Sequence, residues 1–186
     1  MMTIHTVLGR LWRHWLALSL LVMMAGCATG PKVVSTVVPH AFSFDGQKDG
    51  WAESVDLLAY AYGDQYHMVR EDLAKPSSSL YAGKQGLPPT TGVNGPMPVG
   101  EFLRVKWRLK ATGEVFEEQV DLRDRLPKDM TDHELTFVID GRRLYVYVMT
   151  PVAQKPWGKT ATHRTWHSKY NVTYEIFPTI EKAGGK

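Results

Sequence analysis

Leu103, Val105, Trp107 and Leu109 alternate with Arg104, Lys106, Arg108 and Lys110, so that one side chain is apolar and the next basic. A period of two places the first set on one face of a strand and the second set on the other. Thr112-Gly113 follows as a two-residue turn, and Phe116, Val120 and Leu122 resume the apolar face beyond it, interrupted by Glu118. A hairpin closed there pairs Leu109 with Phe116, Val105 with Val120 and Leu103 with Leu122. On its other face Arg108 meets Glu117 and Arg104 meets Asp121. Cross-strand pairs of opposite charge contribute roughly 0.2–1 kcal/mol each, so the basic stripe has a structural explanation.

Asp140-Gly141, a favoured type I′ pair, marks a second hairpin between Leu135–Ile139 and Arg143–Val148, with Phe137 facing Leu144 and Leu135 facing Val146. Tyr170, Val172, Tyr174 and Ile176 alternate with Asn171, Thr173 and Glu175 as a last strand before Pro178. Earlier in the chain, Ala41-Phe42-Ser43-Phe44 runs into the turn signal Asp45-Gly46, and Val55–Tyr62 closes at Gly63-Asp64. Val33–Val38, bracketed by Pro31 and Pro39, is a further β-prone stretch. Residues 74–101 hold five Pro and five Gly, a density that predicts a long irregular loop, either a binding loop or an insertion. The fold class expected is mainly β: a single antiparallel β-sandwich-like domain with a long Pro/Gly-rich loop.

The N-terminus has a different pattern. Arg10, Arg13 and His14 precede Trp15–Ala25, apolar except for Ser19 and ending at Gly26-Cys27. A membrane-spanning helix needs roughly 20 apolar residues, and this shorter run with a basic flank predicts a secretory signal. Met24-Ala25-Gly26-Cys27 resembles the lipobox of bacterial lipoproteins. That resemblance implies a diacylglyceryl group on the Cys27 thiol and acylation of the new N-terminus. It also implies outer-membrane anchoring on the periplasmic face, because Ala28 stands where an Asp favours inner-membrane retention. Cys27 is the single cysteine of the chain, so an internal disulfide is excluded and lipidation accounts for the thiol.

The organisation expected is a signal peptide over 1–26, a lipidated tether over 27–40, a β-rich periplasmic domain over 41–178 and a tail over 179–186. Removal of the signal leaves 160 residues, enough for one domain with a sizeable core. It also takes away two of the 22 basic residues and none of the 19 acidic ones, so the mature chain is near neutral. Nucleic acid is therefore not an expected partner.

No Gly-x-Ser-x-Gly elbow, His-Glu-x-x-His zinc helix, phosphate-binding loop or EF-hand occurs in the sequence. No catalytic residue, metal or cofactor is expected. His163 and His167 flank Trp166 at a metal-compatible spacing without further ligands, and read as exposed polar positions. Adjacent Glu117 and Glu118 point to opposite faces of a strand, which does not make a catalytic pair. Lys128, Asp129, Asp132, His133 and Glu134 read as a solvated connection, and Asn171-Val172-Thr173 is an acceptor sequence arising from strand composition. Trp51, Trp157 and Trp166 serve cores or interfaces equally well. Trp157, in the loop-like Gln154–Lys159, is an interface candidate.

Phe42-Ser43-Phe44-Asp45-Gly46, Tyr62-Gly63-Asp64-Gln65, Asn94–Phe102 and Val105-Lys106-Trp107 resemble segments of a largely uncharacterised family of small proteobacterial lipoproteins. The resemblance implies a membrane-anchored protein-binding module. Some lipoproteins of this kind are encoded beside type VI secretion phospholipase effectors and act as immunity proteins. On that reading the expected contact residues are Asn94, Met97, Val99 and Trp157. The alternative is a structural lipoprotein of an envelope or secretion machine.

Overall fold

The computed structural model describes residues 36–64, 66–69, 86–155 and 165–179, all within one compact unit, Ser35–Lys186. Its strands are β1 (Val37–Asp45), β2 (Val55–Tyr62), β3 (Tyr66–Val69), β4 (Thr90–Pro98), β5 (Phe102–Leu109), β6 (Val115–Asp121), β7 (Glu134–Asp140), β8 (Arg143–Ala153) and β9 (Asn171–Phe177). Two 3₁₀ turns, Trp51–Glu53 and Trp166–Lys169, complete the described elements. A five-stranded sheet in the order β4-β1-β7-β8-β9 packs on a four-stranded sheet in the order β3-β2-β5-β6. The domain is therefore a mainly β, sandwich-like fold, as the alternation predicts. The pairs are antiparallel except for the short parallel contact of β1 with β7.

Between the sheets β1 contributes Phe42 and Phe44, β2 contributes Tyr60 and Tyr62, and β7 contributes Phe137, all buried. Phe42 stacks on Tyr62 at 5.2 Å between centroids, and Phe44 lies 4.5 Å from Phe137. Trp51 stacks on Phe137, which places the first 3₁₀ turn against the core. Central strands β7 and β8 are buried on both faces, which explains their near-continuous apolar sequence.

Both hairpins differ in register from the sequence expectation. In the first, Leu103 pairs with Val120, Val105 with Glu118 and Trp107 with Phe116. The connection runs over 110–113, with Gly113 N–H donating to Leu109 C=O at 2.8 Å and φ of 74° at Gly113. A two-residue I′ turn would need positive φ at β-branched Thr112 as well, and the longer loop asks it of the glycine alone. Arg108 consequently bonds Asp56 of β2, Glu117 lies between Arg104 and Lys106, and Asp121 holds Arg123. In the second hairpin Asp140 pairs with Arg143, Phe137 with Val146 and Leu135 with Val148. Gly141, φ 56°, takes the first central position of its turn, where a type II′ turn puts glycine. Each register moves by two residues, so every side chain keeps its expected face while its partner changes.

Three further expectations are corrected. The segment 74–101 is not irregular throughout, because β4 pairs with β1 along its whole length, from Val37 with Pro98 to Asp45 with Thr90. β1 itself starts at Val37, inside the stretch assigned to the tether. The alternation of the last strand is not kept: Tyr174 and Ile176 are buried, but so is Glu175 between them, while Tyr170 and Val172 are exposed. The β8–β9 register is irregular between Met149 and Ala153, which frees the start of β9 from the sheet's facing pattern.

Candidate functional site

β4 is an edge strand among the described residues, and its hydrogen bonding can be resolved position by position. Val99 N–H donates to Thr36 C=O at 3.0 Å, and Gly46 N–H donates to Pro89 C=O at 2.7 Å. In an antiparallel ladder such contacts recur at every second residue, so odd-numbered residues from 89 to 99 address β1. Thr90, Gly92, Asn94, Pro96 and Pro98 turn their backbone away from it. Thr90, Gly92, Asn94 and Pro96 are exposed, and the odd-numbered Thr91, Val93, Gly95 and Met97 are half-buried. Pro96 and Pro98 sit where a missing N–H costs no bond to β1.

This geometry places the expected contact residues differently from one another. Asn94 is exposed on the outward side of β4, whereas Met97 packs against the core from the inward side. Val99 is half-buried, its N–H bound to Thr36. Trp157 and Cys27 lie outside the described residues, as does His163, and the His167 side chain is likewise not described. Among the described residues no cluster of His, Cys, Asp and Glu could hold a metal ion. Asp129 caps Thr131 N–H at 2.9 Å, and Asp132 sits in a turn at φ 57°, the roles of a structured connection.

Among the described residues β3 forms the facing edge on the same flank. Tyr66 and Thr91 hydroxyls are 3.1 Å apart, and Tyr60 O–H donates to Met68 Sδ at 3.0 Å. Met68 is nonetheless 43% exposed, beside exposed Val69. The flank thus combines an outward backbone edge on one sheet with exposed apolar side chains on the other.

A buried polar chain braces this flank from within. His40 Nδ1–H donates to Val38 C=O at 2.9 Å, which leaves Nε2 to accept the Tyr62 O–H at 2.9 Å. Tyr62 oxygen in turn accepts the Gly100 N–H, and the Tyr62 ring lies so close to Gly100 that any side chain there would collide with it. Burial lowers the His40 pKa despite the Val38 bond, and pushes Tyr62 up to about 12. Sequence reasoning missed this chain because its members are brought together only by tertiary pairing. At the other end of β1, burial pushes Asp49 up to about 7 against the opposing hydrogen bond from the Trp166 backbone. Trp166 lies under the Lys48 and Lys169 ammonium groups at 5.0 and 4.5 Å, and exposed Tyr170 meets it edge-on.

No family model matches the chain, nor does any curated protein or solved structure.

Proposed function

We propose that this chain is a lipid-anchored module on the periplasmic face of the outer membrane that binds a protein, and that it serves as an immunity protein neutralising a type VI secretion phospholipase effector. The exposed edge of β4 around Asn94 is the observation that carries the binding part of this reading. The lipobox-like Met24–Cys27 supports the anchor, since two or three acyl chains hold a protein at a membrane almost permanently. An anchored inhibitor is concentrated where a phospholipase attacks.

Co-expression with a type VI secretion phospholipase effector tests the proposal. Wild type should co-purify with the enzyme and protect the cell, and Cys27→Ser should protect less because it is no longer held at the membrane. A wild-type chain that neither binds nor protects refutes the immunity role. The sandwich-like fold on a lipid tether favours a second reading, a structural lipoprotein of a secretion machine. In that case deletion of the gene abolishes secretion and leaves self-protection intact.

A further inference from the structure

We infer that Thr90–Asn94 takes up an extended segment of a partner protein as a sixth strand of the larger sheet, antiparallel to β4. This rests on the protein-binding reading above and specifies its mode. The outward N–H and C=O groups of Thr90, Gly92 and Asn94 recur at every second residue, a spacing that an extended chain matches and a helix does not. Gly92 is exposed and has open space where a Cβ would stand, so an alanine fits there without collision and leaves the outward backbone edge as it is.

Prolines bound the window at both ends. Pro88-Pro89 precede it, and beyond Asn94 the outward positions Pro96 and Pro98 offer no N–H. Two copies paired about Gly92 would set Thr90 against Asn94 and then Pro96 against Pro88, so self-pairing stops after five residues. Such a contact falls far short of the roughly 1,200 Å² that stable interfaces bury. A segment belonging to another protein escapes this limit, because the rest of that protein adds contact area. No charged residue occurs from 85 to 100, so charge does not select the segment. Among the described residues the facing sheet ends at β3, whose Met68 and Val69 are exposed on the flank that an added strand would extend. The occupant is therefore an extended segment with apolar side chains at alternate positions.

A library of displayed twelve-residue peptides, selected on the full chain in detergent micelles, tests this, with amide exchange measured on the wild-type complex. The expected binders carry alternating apolar residues and slow exchange at Gly92 and Asn94 by about tenfold or more. Gly92→Pro, which deletes the central N–H, should weaken binding by about tenfold, while Gly92→Ala, which keeps it, should bind like wild type. Failure to select any binder, protection confined to other strands, or equal binding by a folded Gly92→Pro chain overturns the inference. A concentration-dependent dimer lost in Gly92→Pro also overturns it, because the occupant is then a second copy. The cell-protection assay separates the two proposals: a chain that takes up strands but does not protect refutes only the immunity role. A Gly92→Pro chain that protects fully refutes strand addition as the mode of effector binding.

Discussion

Tyr62→Phe removes one oxygen from the core and leaves the ring in place, which makes it a sharp test of the buried polar chain. Tyr62 is fully buried, and its hydroxyl donates to His40 Nε2 at 2.9 Å while accepting the Gly100 N–H. Both partners are themselves buried, so water does not replace the lost oxygen. Each orphaned group costs about 1–3 kcal/mol, and the substitution should therefore destabilise the domain by about 2–6 kcal/mol. The stacking of ring 62 on Phe42 is retained, so little of this loss comes from packing. Tyr66→Phe is the internal control. Its hydroxyl meets Thr91 on a half-exposed flank, where water can substitute, and the expected loss is below about 1 kcal/mol. Urea denaturation followed by circular dichroism measures both, with an unchanged slope showing that the unfolded state is not altered. A Tyr62→Phe loss no larger than that of Tyr66→Phe would show that the chain through His40 and Gly100 contributes nothing to stability.

Trp107→Ala should cost about 3–5 kcal/mol, since the indole is buried, stacks on Phe116 and donates from Nε1 to Gly141 C=O at 2.9 Å; a loss below about 1 kcal/mol in the same assay would overturn the core assignment. Asp49 and His40 oppose each other with pH. Asp49, raised to about 7 when folded, contributes stability below its unfolded pKa that is lost as pH rises from about 4 to 7. His40, lowered when folded, contributes stability above its unfolded value of 6.5 that is lost as pH falls below it. Asp49→Asn should therefore lose stability more steeply than wild type between pH 6.5 and 4.5, and parallel profiles in thermal denaturation would refute the opposition. Cys27→Ser should abolish incorporation of a fatty-acid analogue, and equal labelling of the two proteins would remove the lipid assignment.

The strands most legible in the sequence are those under the strictest facing constraint. β5 alternates because its inner side chains Leu103, Val105 and Trp107 are buried and its basic ones lie on the outer face. β2 emerges at its expected bounds, Val55–Tyr62, although its burial on both faces weakens the alternation. β4 was hidden because composition argues against a strand wherever Pro and Gly are dense. An edge strand needs only every second N–H, and two prolines spaced by two, Pro96 and Pro98, are the local sign of that tolerance. The contact positions shared this fate: Asn94 and Met97 lie in one segment, yet a strand sends them to opposite sides. Exact pairing was equally out of reach, because the choice between neighbouring turns depends on which residue takes positive φ. The His40–Tyr62–Gly100 chain left no local trace, since no spacing in the sequence announces a contact between strands.

The place of β1 in the larger sheet bears on how the chain folds. β1 is the first strand described, yet it lies between β4 and β7, with Ala41 pairing both Asn94 and Glu134. The β5–β6 and β7–β8 hairpins can close from neighbouring residues, but β1 must wait for segments far along the chain. Such long-range closure raises contact order and slows folding. Phe42 and Phe44 consequently spend the early life of the chain without their shelter, and a chaperone that shields this first strand should raise the yield of folded protein more than one that shields the hairpins.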